Sequence, residues 1–438
     1  MKRVVQRYRS FSASARAFLS GAALLEIGHA FQYALQNLYV MSLGTYTVAD
    51  AGLVNGASAL AVVLATIPSA WLYEHLGPRR SLTAALLFNV LAIAGMAFAT
   101  SLPALLLWSA LSGAAYALHK VVAAPFLVSA SRPGERTHLF QADFAVHTVT
   151  MTLGLLVSCV IAGALEGRLV GETVAVRVAL LAGAGLSLAA LFPYRRLPER
   201  AEDGGEALRS PLQTLAILRP RHWHLWMRIS VPHFLVGTGA GLSIAFINLY
   251  FTHRFALSKT TLGLVLAAAS ATMTLGALAT PRVVARLGLV RATIATEAFS
   301  IPFFLLLALT TSFPIAVAAY VLRSAFMNLS QPLWRNLMME ITPVVWRPAV
   351  NGVSMLCWNL GWAISNQWGG ELIDHSAGWL GEGYDGYALP MLLTIGTYLL
   401  AIALEARFFW HVRHIGQVRV AGAALAESPA EATTERAA

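Results

Sequence analysis

The sequence predicts an all-α integral membrane protein, with twelve transmembrane helices arranged as two six-helix bundles that repeat one another. Three observations predict this fold. The 438-residue chain is 57% hydrophobic and only 12% charged, whereas a soluble domain carries about 25% charged residues. Twelve segments are long and apolar enough to cross a bilayer. Finally, short sequence matches recur in the two halves of the chain, in the same order.

The transmembrane segments follow one another with short connections, except in the middle of the chain. A spanning helix needs about 20 mostly apolar residues, because each residue rises about 1.5 Å. The connection at 195–222 is long, polar and charged, and it separates six spans from six. We number the spans 1 to 12 and predict them at 17–42, 50–73, 81–100, 103–129, 139–165, 173–194, 223–251, 259–281, 291–311, 313–338, 348–372 and 387–412.

This division predicts four parts of the chain. A first bundle covers 1–194, a cytoplasmic linker covers 195–222, and a second bundle covers 223–413. The remaining residues, 414–438, are rich in Ala, Glu and Thr, which is typical of a disordered tail. We therefore expect folded structure in the two bundles alone.

Lys and Arg predict the orientation, because they accumulate in cytoplasmic loops. Alternate connections are rich in them, and this pattern accounts for the net charge of +10 without any nucleic-acid partner. Both termini are therefore predicted to be cytoplasmic, in a multi-pass protein of the inner (plasma) membrane. The basic residues of this set are Lys2, Arg3, Arg7, Arg9, Arg16, Arg79, Arg80, Arg132, Arg136, Arg195, Arg196, Arg200, Arg209, Arg219, Arg221, Arg282, Arg286, Arg291 and Arg347.

The sequence contains no pattern typical of a cofactor, metal or enzyme site. Cys159 and Cys357 both lie in apolar runs, as small buried hydrophobic residues do. The histidines lack partners at metal-ligand spacing, and no phosphate-binding loop of the Walker type is present. We therefore expect no cofactor, no metal and no catalytic centre.

The repeat rests on four matches with offsets of 207 or 211 residues. Asn-Leu-Tyr at 37–39 recurs at 248–250, and Leu-Gly-x-x-Arg at 76–80 recurs at 287–291. The other two matches are Pro125 with Pro332, and the Gly-x-x-x-Ser patterns that begin at Gly154 and Gly361. Two six-span halves in parallel repeat, with a binding site between them, is a known transporter plan.

The loop after span 2 carries a family resemblance. It reads Ala-Trp-Leu-Tyr-Glu-His-Leu-Gly-Pro-Arg-Arg over 70–80, and it resembles the signature loop of the major facilitator superfamily at Glu74, Gly77, Arg79 and Arg80. Ala70 replaces the first glycine of that signature, and Glu74 replaces its aspartate. The second copy has Ala285 in place of the acid. The family's antiporter proline in span 5 is also absent, because Cys159 stands there, and this argues against a drug–proton antiporter.

The resemblance implies a secondary transporter in which spans 1, 4, 7 and 10 line a central cavity. It also implies a gating role for the loop, whose glycines permit a tight turn and whose arginines pair with acids or lipid phosphates. A plain cytoplasmic loop without a gating role is the alternative. Asp143, close to the cytoplasmic edge of span 5, is expected to pair with a basic loop residue. The gating candidates are Glu74, Gly77, Arg79, Arg80, Asp143, Gly288 and Arg291.

Ionisable side chains inside the spans are the main candidates for the site, since a charge at membrane depth costs at least about 2.5–3.5 kcal/mol. Glu26 in span 1 and Lys120 in span 4 lie at similar depths, so they are able to pair. Glu26 is interpreted either as a proton acceptor that frees Lys120 for an anionic substrate, or as half of a permanent ion pair. Arg323 in span 10 is interpreted either as a substrate anchor or as a helix–helix hydrogen-bond donor.

The remaining substrate or coupling candidates are polar residues in the spans expected to line the cavity, together with span 11. Hydrogen bonding between helices is an equally good explanation of the Asn and Gln residues. These candidates are His29, Gln36, His119, His233, Asn248, Asn328 and Asn359.

The candidate charges Glu26, Lys120 and Arg323 sum to a small positive value, which favours an anionic or zwitterionic organic solute. We therefore expect a secondary transporter coupled to protons, acting as a monomer among membrane lipids. Two alternatives remain at this point. One is an exporter of amphipathic drugs or lipids, and the other is a membrane sensor that binds a solute without moving it.

Overall fold

The computed structural model describes residues 11–131, 135–168, 171–199, 223–342, 347–379, 381 and 385–411. Within these ranges the chain is helical and forms no strand. The predicted tail, most of the predicted linker and the first ten residues lie outside them. The all-α prediction is confirmed.

The helices of the described residues are consistent with the twelve crossings that the sequence predicts. The first half has α1 Ala13–Ser42, α2 Val48–Phe98, α3 Leu102–Ser129, α4 Arg136–Glu166, α5 Glu172–Leu188 and the short α6 Leu191–Tyr194. The second half has α7 Trp223–Ser243, a 3-10 turn Ile244–Phe246, α8 Ile247–Phe255, α9 Lys259–Leu287, α10 Leu289–Leu309, α11 Phe313–Ile341, α12 Arg347–His375 and α13 Ala388–Phe409. Eight helical segments of the described chain are long and apolar enough to cross a membrane.

The helix α2 supplies two crossings. It has 51 residues, which at about 1.5 Å each would be far longer than a bilayer core. Gly77 interrupts it with φ 73° and ψ 175°, and Gly288 separates α9 from α10 with φ 74° and ψ 164°. Both values of φ lie in the region that favours glycine, so the two repeat-related turns have the same backbone geometry.

Side-chain caps fix where several helices begin. Thr47 and Asp50 form a reciprocal capping box at the start of α2, and Ser258 caps α9 through the amide of Thr261. Such caps satisfy backbone donors that the helix leaves unpaired. They lie at the end of the bundle opposite the beginning of α1, which we call the distal face; the end where α1 begins and α13 ends is the terminal face.

The two halves meet through two equivalent pairs of helices. The first part of α2 packs on α12, and α4 packs on α9. The first pair contains spans 2 and 11, and the second contains spans 5 and 8. Each span of the second half repeats the span six places earlier, so the repeat relates span 2 to span 8 and span 5 to span 11, and it turns one pair into the other. The contact between the halves therefore follows the internal symmetry that the sequence matches predict.

Glycines bring the backbones close together at these interfaces. A Cβ at Gly52 would meet the carbonyl oxygen of Asn366, and a Cβ at Gly263 would lie 2.6 Å from Cβ of Cys159. Because both contacts involve the distal parts of the helices, the halves are held together toward the distal face. Small residues at helix–helix contacts are the usual means of close approach in membranes.

Candidate functional site

Glu26 is the centre of a charged cluster inside the first half. It lies on α1 and is only 2% exposed. Its Oε1 is 2.6 Å from Nζ of Lys120 on α3 and 3.1 Å from Nδ1 of His147 on α4. Three helices therefore bring one carboxyl group and two basic groups together at membrane depth, where an unpaired charge is costly.

Aromatic rings and two further histidines surround this ion pair. His29 stacks on Tyr116 with ring centroids 4.7 Å apart, and the Lys120 ammonium lies 5.2 Å from the centre of the same tyrosine ring. His119 stacks on Phe18. Nδ1 of both His29 and His119 has no hydrogen-bond partner among the described residues, so both imidazoles keep free hydrogen-bonding capacity.

Asp143 belongs to the same cluster. The sequence predicts that it pairs with a basic loop residue at the membrane edge. In the structure it interacts electrostatically with Lys120 and Glu26, because Asp143 and His147 are one helical turn apart and both face the cluster from α4. Asp143 thus adds a second negative group near Lys120. The pairing of Asp143 with a basic loop residue stays a prediction.

The cluster has the parts that proton exchange requires. Oε2 of Glu26 is buried and has no hydrogen-bond partner among the described residues. The side chains of Lys120 and His147 are 27% and 35% exposed, so the cluster reaches open space. A carboxylate with one paired oxygen and one unused oxygen can accept a proton without first breaking a hydrogen bond at the unused oxygen.

Arg323 is a buried cation at membrane depth in the second half. It is 5% exposed, and Nη2 donates a 3.0 Å hydrogen bond to the hydroxyl of Tyr398. Its guanidinium lies 4.9 Å from the centre of the Phe304 ring, a geometry that favours a cation–π interaction. Nε has no partner among the described residues, so part of the guanidinium fork is unused.

Arg323 lies close to the first half. Tyr33 on α1 interacts electrostatically with Arg323 on α11, although 44% of the Tyr33 surface is exposed. Tyr398 and Phe304 hold the guanidinium toward α13 and α10.

A chain of amide side chains links the halves. Gln36 donates to Oδ1 of Asn55 at 2.9 Å, and Asn55 donates to Oδ1 of Asn37 at 2.9 Å. Asn37 then donates to Oδ1 of Asn248 at 3.0 Å, and Asn248 donates to the carbonyl oxygen of Ala34 at 3.1 Å. The predicted candidates Gln36 and Asn248 therefore take part in contacts that join the halves.

Three other predicted residues are engaged within the second half. Asn328 donates to the carbonyl oxygen of Ser324, and Asn359 donates to that of Met355, each at 2.8 Å and one turn back on its own helix. His233 stacks on Trp334 of α11, with ring centroids 5.8 Å apart. These contacts are intrahelical or packing contacts, and they do not join the three residues to the Glu26 cluster.

The gating candidates lie at the terminal face. Arg79 Nη1 is 3.3 Å from Oε1 of Glu199, and the two side chains are 38% and 64% exposed. Glu74 and Arg80 are exposed, while Arg291 lies over the ring of Trp410 at 5.3 Å. Gly77 and Gly288 form the two helix breaks described above. In this conformation Arg79 contacts the beginning of the predicted linker, and Arg291 contacts a residue of its own half.

The distal face contains contacts that the sequence reasoning missed. Asp374 at the end of α12 accepts hydrogen bonds from the amides of Val48 and Ala49, at 3.2 and 2.7 Å. Lys259 Nζ lies 3.0 Å from Glu166 and 2.8 Å from Glu172. Both sets join opposite halves. No sequence signal identifies them, because which loop ends meet depends on how the halves are placed.

Two buried acids, Glu297 on α10 and Glu405 on α13, were also missed. A signal was available, because each is the one carboxylate in an apolar span, and such residues are functional candidates by default. The same rule identified Glu26.

Known proteins resemble the chain in sequence family and in fold. A family model described as "Major Facilitator Superfamily" matches residues 10–366. Nucleoside transporter NupG is 14% identical, with a TM-score of 0.72 over 90% of this chain and 98% of that chain. A D-xylose-proton symporter is 16% identical, with a TM-score of 0.72 over 90% and 97%.

A bacterial homolog of the human lysosomal transporter Spinster, in an inward-facing and occupied conformation, is 14% identical, with a TM-score of 0.70 over 91% of this chain and 97% of that chain. A comparison with curated protein sequences gives no match. At these identities the solved structures establish the fold alone.

Proposed function

This chain belongs to the major facilitator superfamily, and we propose that it is a proton-coupled secondary transporter of a small organic anion or zwitterion. It is a multi-pass membrane transporter and not an enzyme. The proposed substrate class and the proposed coupling ion rest on the charges between and inside the two halves.

The coupling proposal rests on the carboxyl group of Glu26, of which one oxygen is paired and the other has no partner among the described residues. Oε1 contacts Lys120, whereas Oε2 is buried without a partner among the described residues. When a proton binds Glu26, the carboxyl becomes neutral and Lys120 is left as an unpaired cation. A negative group on the solute can then neutralise Lys120, so that proton and solute favour each other's binding.

Two cations support the proposed substrate class. Lys120 in the first half is 27% exposed, and Arg323 in the second half keeps part of its guanidinium fork unused, so both cations are available to a negative group on a solute. Arginine suits carboxylate groups because its planar donors match their geometry. Asp143 near Lys120 offers a place for a positive group, which favours a zwitterion in particular.

The positions of the contacts support an orientation and a state. The basic residues of the terminal face favour a cytoplasmic location for it, so closure at the distal face corresponds to a cytoplasm-facing state. We further propose that 1–194 and 223–413 move as two bodies joined by the linker 195–222, and that Glu74, Gly77, Arg79, Arg80, Gly288 and Arg291 close the terminal face in the other state.

The test uses purified protein in liposomes that contain a pH-sensitive dye. Monocarboxylates, amino acids and uncharged sugars are added outside, and internal pH and solute counterflow are both recorded. We expect at least one charged solute to acidify the lumen. Glu26→Gln should reduce this proton flux at least tenfold and keep counterflow, because glutamine imitates the protonated acid. Glu371→Gln, at a partly exposed position on α12, serves as the matched control.

The same experiment separates the alternatives. Undiminished proton flux in Glu26→Gln would contradict coupling at Glu26. Movement of amphipathic drugs or lipids alone would identify the exporter class. Binding of a solute, detected by thermal stabilisation, without any counterflow would identify a sensor.

A further inference from the structure

A pair of buried carboxyl groups lies in the second half, away from the Glu26 cluster. Glu297 on α10 and Glu405 on α13 are 5% and 2% exposed, and their side chains lie within hydrogen-bonding distance of each other. The helices α10 and α13 pack directly on one another. The pair is therefore enclosed by helices at a depth where water is scarce.

The described surroundings do not neutralise two negative charges. No ion pair joins either carboxyl to a basic side chain among the residues that the structure describes. Oε2 of each glutamate also lacks a hydrogen-bond partner within that part of the chain. The hydroxyl of Ser330 on α11 lies within hydrogen-bonding distance of Glu297, but it donates to the carbonyl oxygen of Met327 at 2.7 Å. Two adjacent carboxylates would both be acceptors, so they would repel each other.

We propose that Glu297 and Glu405 share one proton and form a second proton-binding site of this transporter. A single proton between the two carboxyls converts one of them into a donor and leaves the pair with one negative charge. Neighbouring carboxyls behave in this way because like charges at contact distance cannot both ionise. The proposal concerns the second half and is independent of coupling at Glu26.

Tyr398 lies between the pair and Arg323. Tyr398 lies about two helical turns before Glu405 on α13. It interacts electrostatically with Glu297 and accepts the hydrogen bond from Arg323. Toward the terminal face, Arg228 of α7 lies over Phe408, and Arg291 of α10 lies over Trp410. Tyr398 therefore interacts with both Glu297 and Arg323, and none of these neighbours forms an ion pair with the two carboxyls among the described residues.

Infrared spectroscopy of the purified full chain tests the proposal. At neutral pH we expect the carbonyl stretch of a protonated carboxylic acid, and a shift of this band to lower wavenumber in D₂O. Glu297→Gln and Glu405→Gln should each lose the band. In each variant the glutamine NH₂ group replaces the shared proton as the hydrogen-bond donor between the two side chains. The remaining carboxyl then needs no proton and ionises. Glu371→Gln, the partly exposed control, should keep the band.

Wild-type protein without the band would overturn the proposal, because both carboxyls would then be ionised. Full band intensity in both single variants would also overturn it, since the proton would belong to another group. If the wild-type band does not shift in D₂O, the shared proton does not exchange with solvent, and the pair is not a proton-binding site. The wild-type measurements need neither a variant nor a solute, and the two glutamine variants assign the band to this pair rather than to Glu26.

Discussion

At the scale of single residues, Lys120 compensates the buried negative charge of Glu26. The carboxyl of Glu26 is almost fully buried, and the 2.6 Å contact with Lys120 compensates its lost hydration. Removing one member of a buried ion pair is more harmful than removing both, because the remaining charge has no compensation. His147 at 3.1 Å is a weaker substitute, since it is a cation only when protonated.

Lys120→Met should therefore destabilise the protein by about 3 kcal/mol, the low end of the range for broken buried pairs, because Lys120 is partly exposed. The double variant Glu26→Gln/Lys120→Met should recover most of this loss. Thermal unfolding in lipid nanodiscs measures both. Equal unfolding midpoints for the single and double variants would show that the charge of Glu26 is compensated by another group.

The sequence identifies Glu26, Lys120 and Arg323 as ionisable groups within the spans, because the cost of a charge in lipid makes each of them conspicuous. In the structure Glu26 and Arg323 are buried and Lys120 is partly exposed. It does not separate structural amides from binding amides. Asn328 and Asn359 donate to their own helix, whereas Asn248 joins the halves. All three are asparagines in apolar spans, so only the positions of the neighbouring helices distinguish them.

At the scale of elements, the contact of α2 with α12 depends on the absence of side chains. A Cβ at Gly52 would meet the carbonyl oxygen of Asn366, and a Cβ at Gly56 would lie 3.0 Å from that of Ala363. Backbone atoms cannot move aside as a flexible side chain can, so this interface tolerates only glycine at its closest points.

Gly52→Val should therefore favour separation of the halves at the distal face. Native Cys159, buried where α4 meets α9, reports this separation through its rate of maleimide labelling in a Cys357→Ser background. We expect about a tenfold faster rate, which corresponds to an overpacking penalty near 1.4 kcal/mol. Gly185→Val is the control, since a Cβ there meets nothing within 4 Å. An unchanged rate in Gly52→Val would contradict the role of this contact.

Span number, span order and the repeat are predictable from the sequence, because they depend on local hydropathy and short matches. The sequence does not predict as well that spans 2 and 3 join into the single kinked helix α2. The sequence places polar surface residues between them, but the helix continues to and beyond the turn at Gly77. Helix ends depend on caps and on neighbouring helices, which a hydropathy pattern does not contain.

At the scale of the whole molecule, opposite charges close the distal face. Lys259 at the start of α9 lies between Glu166 and Glu172 of the first half. Asp374 at the end of α12 accepts from the first amides of α2, where the helix dipole favours a negative group. These contacts exist only while the halves meet at this face, so they stabilise one state of the transporter.

Lys259→Met should weaken this closure. The two carboxylates are partly exposed, so the loss is about 1 kcal/mol, and Cys159 labelling should become about fivefold faster. Lys259→Arg keeps the charge and should label at the wild-type rate. If Lys259→Met also labels at the wild-type rate, the ion pairs do not hold the distal face closed.

Movement of the two halves about a central cavity is tested most directly by distances between spin labels on opposite halves. Thr45 and Trp379 are exposed at the distal face, and His75 and Arg286 are exposed at the terminal face; each pair is labelled in a chain without native cysteines. As pH is lowered or a transported solute is added, we expect the distal pair to gain a longer distance while the terminal pair gains a shorter one. Distances that stay unchanged at both faces, or that change in the same direction, would contradict alternating access in this protein.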